Sequence, residues 1–370
     1  MIEYYIGLMS GTSMDGIDAA LVAFESSTRL SVIDTEFTPF PDHLRSAIAE
    51  AARPNSSLLN IQDSPLHTEL AQHYSNAALS LLDKSQFSRS KIRAIANHGQ
   101  TVRHEPNATP PFSLQLGDGQ IIANRTKVTT ITQFRQADLA AGGQGAPLMP
   151  AFHNAIFCDG SSTNKFVLNL GGIANISRLG DNPIGFDTGP SNCLLDQWIE
   201  HHLGKRFDLN GQWANTGSVL EPVLEKLMHD PYLQQANPKS TGTDYYNLEW
   251  LAQQISDLET FAAQDIQATL LAFTVETIAL ALQQLNAAQG SLYVCGGGAQ
   301  NQALMLKLRA KLANFEVATT DKIGVPSDWV EAVGFAWLGY CFMQQIPSNL
   351  PSVTGASAAV VLGERFEPNS

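Results

Sequence analysis

Apolar runs along this chain stop repeatedly at short polar turns punctuated by glycine. Residues 4–9 and 17–24 read as strands, and residues 10–16 (SGTSMDG) as the loop between them. The plan returns at 165–179 (KFVLNLGGIANISRL), where a strand-like run breaks at Gly171 and Gly172 and resumes as a second strand carrying Asn175 and Ser177. A third cluster, within 292–301 (LYVCGGGAQN), follows a strand and opens a helix near Gln300.

Around these clusters the pattern predicts alternating strands and helices. In the first block, strands are expected at 31–37, 92–97, 113–116 and 128–132, with a helix over 65–84 capped by Asp63 or Ser64 and another begun at Asp118. In the second block, helices are expected over 192–203 (ending at Gly204), 266–286, 300–312 and 329–345, with strands at 292–295 and 315–318. The fold class is α/β, with domains over 1–136 and 137–346 and the tail 347–370 packing back on the first. Two similar domains facing a cleft are the simplest architecture that gives both hairpins a common ligand.

Loops of this composition bind anionic oxygens: bare backbone N–H groups and hydroxyls crowd together where no side chain intervenes. Ser10, Gly11, Thr12, Ser13, Met14, Gly16 and Ile17 form such a candidate phosphate grip, with Asp15 and Asp18 beside it as possible holders of a hydrated magnesium ion. An ordinary hairpin is the alternative for any one loop, and the recurrence at Gly171, Gly172 and Asn175 and at Gly296, Gly297, Gly298 and Asn301 favours a nucleotide site. Neither GxxxxGK[ST] nor GxGxxG occurs, so the P-loop and Rossmann readings lose their usual support.

Phosphoryl transfer also needs a carboxylate that positions or deprotonates the nucleophile. Asp187, in a predicted turn within GFDTGPSN (185–192), is the first candidate, with turn-former or helix cap as the other reading. Glu331 is the second, although a carboxylate in a first helical turn also answers the helix dipole. His98, Gln100 and Thr101 follow a strand's carboxyl end, where open α/β sheets collect ligands. Asp138, Gln144 and Gly145 flank the glycine-rich stretch 140–147, a candidate hinge or cleft wall, and Asp138 with Arg135 is either a polar-substrate site or an ion pair. His67, His73, His201 and His202 lack metal-ligand spacing and read as surface helix residues.

Composition narrows the picture. With 370 residues, 44% of them hydrophobic and 15% charged, the chain can bury a large core. A net charge of −13 argues against nucleic-acid and anionic-membrane partners. Cys158, Cys193, Cys295 and Cys341 form no CxxC pair and read as buried free thiols, which fits a reducing cytoplasm; no signal peptide or membrane span is expected.

Taken in order, the motifs LMSGTSMDGIDAAL (8–21), NHGQTVRH (97–104), QLGDG (115–119), FRQADLAAGGQGAPL (134–148), LNLGGIANIS (168–177), FDTGPSN (186–192), PKSTG (238–242), CGGGAQN (295–301) and VTGA (353–356) resemble one family, anhydro-N-acetylmuramic acid kinase. The resemblance implies two actin-like (ribonuclease H-like) domains flanking an ATP and substrate cleft. It also implies ATP-dependent conversion of 1,6-anhydro-N-acetylmuramic acid and water into N-acetylmuramic acid 6-phosphate, in cell-wall recycling, by a homodimer. Residues 11–18 would then hold ATP phosphates with Mg2+, Gly171 and Gly172 would be a second phosphate contact, Gly296 to Gly298 would lie near the adenosine, and Asp187 would be the general base. One departure is Ser191, which gives GPSN where the family usually has GPGN. Competing readings are an actin-like or chaperone-like switch ATPase, and a glycoside hydrolase with Asp187 and Glu331 as its carboxylate pair.

Overall fold

The structure, a computed structural model, describes residues 1–53, 64–160, 164–237 and 239–369. Asp63 and Pro238, both named above, lie outside the described residues. The chain divides into two units, one made of Met1–Asp159 with Trp329–Ser370 and the other of Gly160–Asp328.

In the first unit the opening hairpin is strand β1 (Glu3–Met9) and strand β2 (Gly16–Ser26), continued by β3 (Arg29–Pro39), β4 (Ile92–Asn97), β5 (Gln100–Glu105), β6 (Phe112–Leu116) and β7 (Thr130–Thr132). The second unit holds β8 (Lys165–Leu170), β9 (Ile173–Arg178), β10 (Ile184–Pro190), β11 (Gly290–Cys295) and β12 (Phe315–Thr319); β13 (Glu364–Phe366) returns to the first. The main sheets run β13-β7-β4-β1-β2-β3 and β10-β9-β8-β11-β12, and β5 pairs with β6 apart from them.

The repeat seen in sequence is thus a repeat of topology. In each unit the first strand sits inside the sheet, the next two add antiparallel on one side, and two later strands add parallel on the other. That pattern leaves the carboxyl ends of the parallel strands and the first hairpin turn at the same edge, where helix N-termini and bare turns gather.

One face of the first sheet packs on helices Asp42–Ala52 and Pro65–Ser85, burying Ile6, Leu8, Leu44, Leu70 and Leu81. Helix Val330–Met343 packs against β1, β2 and β4. Gly7 is what permits this: a methyl there would lie 1.8 Å from the Ala332 carbonyl oxygen and 2.6 Å from the Ala336 nitrogen. The predicted boundaries at 136/137 and 346/347 are therefore corrected to 159/160 and 328/329, because this helix and helix Met149–Phe157 are bound into the first unit's core.

The second unit's core gathers around helix Ala263–Gln284, whose Leu271 and Phe273 are buried in one cluster with Phe166, Leu168, Trp198 and Leu304. This is the one helix among the described residues long and apolar enough to cross a membrane, and most of it is buried inside the unit.

Most predicted elements sit within two or three residues of their places. Helix Asn192–Leu203 ends at Gly204 in the left-handed region, Asp118 caps helix Gly119–Thr126 through two backbone N–H groups, and Ser64 caps helix Pro65–Ser85. The cysteines form no disulfide, Cys158 being partly buried and the others buried. His67 is corrected: it is a buried residue whose Nδ1 accepts a hydrogen bond from the Gly117 N–H at 3.0 Å.

Candidate active site

The β1–β2 turn separates into an inner and an outer part. Ser10 is buried and shares a hydrogen bond with the Tyr74 hydroxyl, so its side chain braces the turn from within. Gly16 is also a packing residue, since a methyl there would lie 2.4 Å from the Thr38 carbonyl oxygen, and Ile17 is core. Thr12, Ser13 and Asp15 are exposed; Ser13 donates to Asp15 Oδ1 at 2.8 Å, and Met14 takes φ 54° while its N–H closes a turn onto the Gly11 carbonyl at 3.2 Å. Gln100 reaches that same carbonyl through Nε2 at 3.3 Å. Asp18 is partly buried on β2, opposite Met9.

In the second unit the carbonyls of Gly171 and Gly172 accept hydrogen bonds from the N–H groups of Ser191, Asn192 and Cys193, which ties the β8–β9 turn to the start of helix Asn192–Leu203. Ser191 takes φ −122° with ψ −107°, a negative φ, so the serine that stands in place of glycine does not occupy the left-handed region. Asn301 caps helix Gln302–Lys311 through the Leu304 N–H.

The glycines then fall into two sets. Gly296 has φ 80° and would place a methyl 2.3 Å from Asn169 Oδ1; at Gly298 a methyl would lie 2.6 Å from Leu170 Cβ. Those two, like Gly16, are fixed by their own unit. By contrast, a methyl at Gly297 meets nothing within 4 Å, and at Gly11, Gly171 and Gly172 nothing closer than 3.4 Å. None of these four has positive φ, so nothing described within the units requires glycine there.

Register sets four polar residues side by side across the second sheet. Asp187 on β10 faces Asn175 on β9, Asn175 faces Asn169 on β8, and Asn169 faces Cys295 on β11. Asp187 is thus corrected from a turn to a strand: β10 continues through it, and the extra residue at Thr188 is taken up as a bulge before Gly189. Its N–H donates to the Lys239 carbonyl at 3.1 Å, its carbonyl accepts from the Tyr232 hydroxyl at 2.7 Å, and its Oδ2 accepts from the Thr241 N–H at 3.0 Å. Burial pushes the carboxyl up to about 6, and the Thr241 hydrogen bond holds it from rising further.

Glu331 lies in the first turn of helix Val330–Met343, its carboxyl raised by burial and drawn back by the Arg135 guanidinium. Arg135, itself lowered to about 10 by burial, donates to the Gly145 carbonyl at 2.7 Å and to His98 Nε2 at 2.9 Å. Burial and that guanidinium drive His98 well below its ordinary value, so the ring is neutral with Nε2 accepting. It lies 4.6 Å from the Phe335 ring. Asp138 is fully buried: Oδ2 accepts from the Gly145 N–H at 2.7 Å, and Oδ1 from Asn349 Nδ2 and Thr354 Oγ1, each at 2.7 Å. Arg135 and Asp138 therefore grip the two ends of the Gly145 backbone and tie it to the tail. Gln144 is exposed, with its N–H on the Thr354 carbonyl, and Thr101 Oγ1 accepts from Gln115 at 3.1 Å.

The anhydro-N-acetylmuramic acid kinase family model matches residues 3–368. The chain belongs to that family. Proteins named anhydro-N-acetylmuramic acid kinase are similar along its whole length: that of Haemophilus influenzae is 45% identical over 98% of this chain and 98% of its own. That of Coxiella burnetii is 44% identical over 98% and 96%, and that of Photobacterium profundum 45% over 98% and 98%. Among solved structures, an activator of 2-hydroxyisocaproyl-CoA dehydratase from Clostridium difficile aligns at 14% identity and TM-score 0.45, covering 92% of this chain and 95% of that one.

Sequence reasoning passed over Asn169, Tyr232, Lys239 and Thr241. A lone asparagine in the apolar run FVLNL was a visible signal for the first. Nothing in the local pattern pointed residues 232–241 toward Asp187, because their contacts with it span about 45 to 54 positions.

Proposed function

We propose that this chain, as a member of the anhydro-N-acetylmuramic acid kinase family, opens the 1,6-anhydro bond of 1,6-anhydro-N-acetylmuramic acid with water and phosphorylates O6 from ATP. The products are N-acetylmuramic acid 6-phosphate and ADP, a step in recycling bacterial cell wall. The observation that carries the reading is the Asp187 carboxyl: set at the end of a sheet row of polar residues, held through one oxygen, and raised to about 6, it is basic enough to take a proton yet ionised at neutral pH.

Asp187 takes a proton from water as its oxygen attacks the anomeric carbon. The bond from that carbon to O6 breaks, and O6 leaves with the electron pair it needs to attack the γ-phosphorus in line, whose bond to the β,γ-bridging oxygen breaks as ADP departs with that pair. One carboxylate serves both events. Phosphate oxygens are assigned to the backbone of residues 11–15 and of Gly171 and Gly172, and the nucleoside to Gly297, the positions where glycine or exposure has no reason within the unit. Asp18, Asn175 and Asn301 border these backbones and shape them. On the sugar side, neutral His98, Gln100, Thr101 and Gln144 supply polar contacts, with Asp138 and Gly145 fixing the loop that presents Gln144. Glu331 orients the water or sugar.

Among the described residues no three His, Cys, Asp or Glu side chains cluster as a metal site. Magnesium keeps most of its waters and would be held largely by the phosphates, with Asp15 or Asp18 contributing an outer oxygen. When bound, Mg2+ would neutralise charge on the transferring phosphoryl group. The same reading has the chain act as a homodimer with no nucleic-acid or membrane partner, in a cytoplasm that suits four cysteines with no disulfide between them.

The test is ATP consumption with and without anhydro sugar, alongside sugar ring opening with and without ATP. Each is expected to require the other substrate. ATP turnover at full rate without sugar points to a switch ATPase, and ring opening without ATP to a hydrolase.

A further inference from the structure

Behind Asp187 lies a buried polar cluster that substrate handling does not use. Asp230 is 1% exposed and accepts four hydrogen bonds: from the Tyr232 N–H and Tyr246 hydroxyl on Oδ1, and from the Tyr245 hydroxyl and Trp250 Nε1 on Oδ2. It thereby caps the short helix Pro231–Gln234. Lys239 is also buried. Its ammonium donates to the carbonyls of Tyr232 at 3.2 Å and Leu233 at 2.9 Å and sits 4.9 Å from the Tyr232 ring centre.

A buried ammonium satisfied by backbone carbonyls is costly to assemble unless something depends on where it puts the chain. Here it pins the loop that follows to the short helix, and both grip Asp187. The loop gives the Lys239 carbonyl to the Asp187 N–H and the Thr241 N–H to Asp187 Oδ2, while the helix gives the Tyr232 hydroxyl to the Asp187 carbonyl. Backbone donor, backbone acceptor and one carboxylate oxygen are thus all fixed from one side. Among the described residues no hydrogen bond engages Oδ1, which leaves it for the proton.

We infer that Tyr232 and Lys239 are positioning residues for Asp187: anchored by Asp230, they hold the base's backbone and, through the Thr241 N–H, one of its oxygens, so that the other faces the reacting water. This rests on Asp187 being the base. The titratable groups on the elements packed around Asp187 are Tyr232 on the short helix with its cap Asp230, Lys239, exposed Asp244 and Tyr245 and buried Tyr246 on the loop, Arg178 at the far end of β9, and Asp265 and Glu276 on helix Ala263–Gln284. Glu276 is paired with Lys311 at 2.6 Å. The Thr241 N–H is the hydrogen bond that stabilises the charged carboxylate, so loosening its loop moves Asp187 toward higher pH.

The experiment measures kcat, both KM values and the pH profile of kcat/KM for Tyr232→Phe, Lys239→Met, Tyr245→Phe and Asp187→Asn, with Tm for each. Tyr232→Phe, which removes one oxygen, is expected to lower kcat about tenfold with KM for ATP unchanged. Lys239→Met is expected to lower kcat and move the acid limb to higher pH. Tyr245→Phe loses a bond to the same Asp230 but keeps its ring beside that of Tyr232 and removes no hydrogen bond to Asp187, so its kcat and acid limb should match the parent. If Tyr232→Phe keeps parental kcat, or Tyr245→Phe falls as far, the positioning role is wrong and the cluster only stabilises the fold. Should Lys239→Met not fold, Tyr232→Phe against Tyr245→Phe still decides. An active Asp187→Asn overturns the base itself, a result distinct from either.

Discussion

At Asp187 function and stability pull in opposite directions. An unfolded chain's aspartate titrates near 3.8, and burial holds this one at about 6 in the folded state. The folded protein therefore binds the extra proton between those values. The group's favourable contribution is present below about 3.8 and lost as pH rises through 6, so at neutral pH the charged, partly buried carboxylate destabilises the fold. Asp187→Asn is expected to raise Tm at pH 7.5, equivalent to about 1–3 kcal/mol, with the gain shrinking toward pH 4; thermal denaturation at both pH values checks it. The parent's kcat/KM should fall on the acid side with a midpoint near 6. The glycines make a second comparison. Gly297→Ala should leave Tm unchanged and raise KM for ATP, whereas Gly298→Ala, forced onto Leu170 Cβ, should destabilise by about 1–3 kcal/mol. Local sequence showed where glycines cluster but not which ones pack, because the atoms that decide it, such as Thr38, Asn169 and Leu170, come from other strands.

At the scale of elements, apolar runs bounded by turn residues were legible, and strand β4 and helix Asn192–Leu203 have the limits their patterns gave. Strand β10 was not. Its second half, DTGP, carries turn chemistry, and only pairing with β9 and the bulge at Thr188 make it a strand. The short helices Met149–Phe157, Glu221–Met228 and Leu248–Gln254 also escaped, since two or three turns show too little periodicity. The bulge has a testable consequence. Gly189 takes φ 150° with Thr277 Oγ1 only 3.3 Å from where a methyl would sit. Gly189→Ala should lower both Tm and kcat, because relieving the strain shifts the strand that carries the base; differential scanning fluorimetry and steady-state kinetics report the two effects.

At the scale of the molecule, the repeated hairpin foretold a repeated fold: five strands of each sheet share one order and sense, and β13 adds antiparallel to the edge of the first. What local pattern could not place was the crossing back: helix Val330–Met343 belongs to the first unit because Gly7 and Gly339 let it lie on β1 and β4. The second unit is one continuous segment with its own core, so residues 160–328 expressed alone should unfold in a single cooperative transition, as read by circular dichroism. Glu331 travels with the first unit and Asp187 with the second, which puts the proposed base and its proposed helper on separate folding units. The most direct test of the base is Asp187→Asn given ATP and anhydro sugar together, with ADP and ring-opened sugar read from the same samples and nucleotide affinity measured in parallel. Both products should vanish together while ATP affinity stays within a few fold of the parent; release of either product at the parental rate contradicts the assignment.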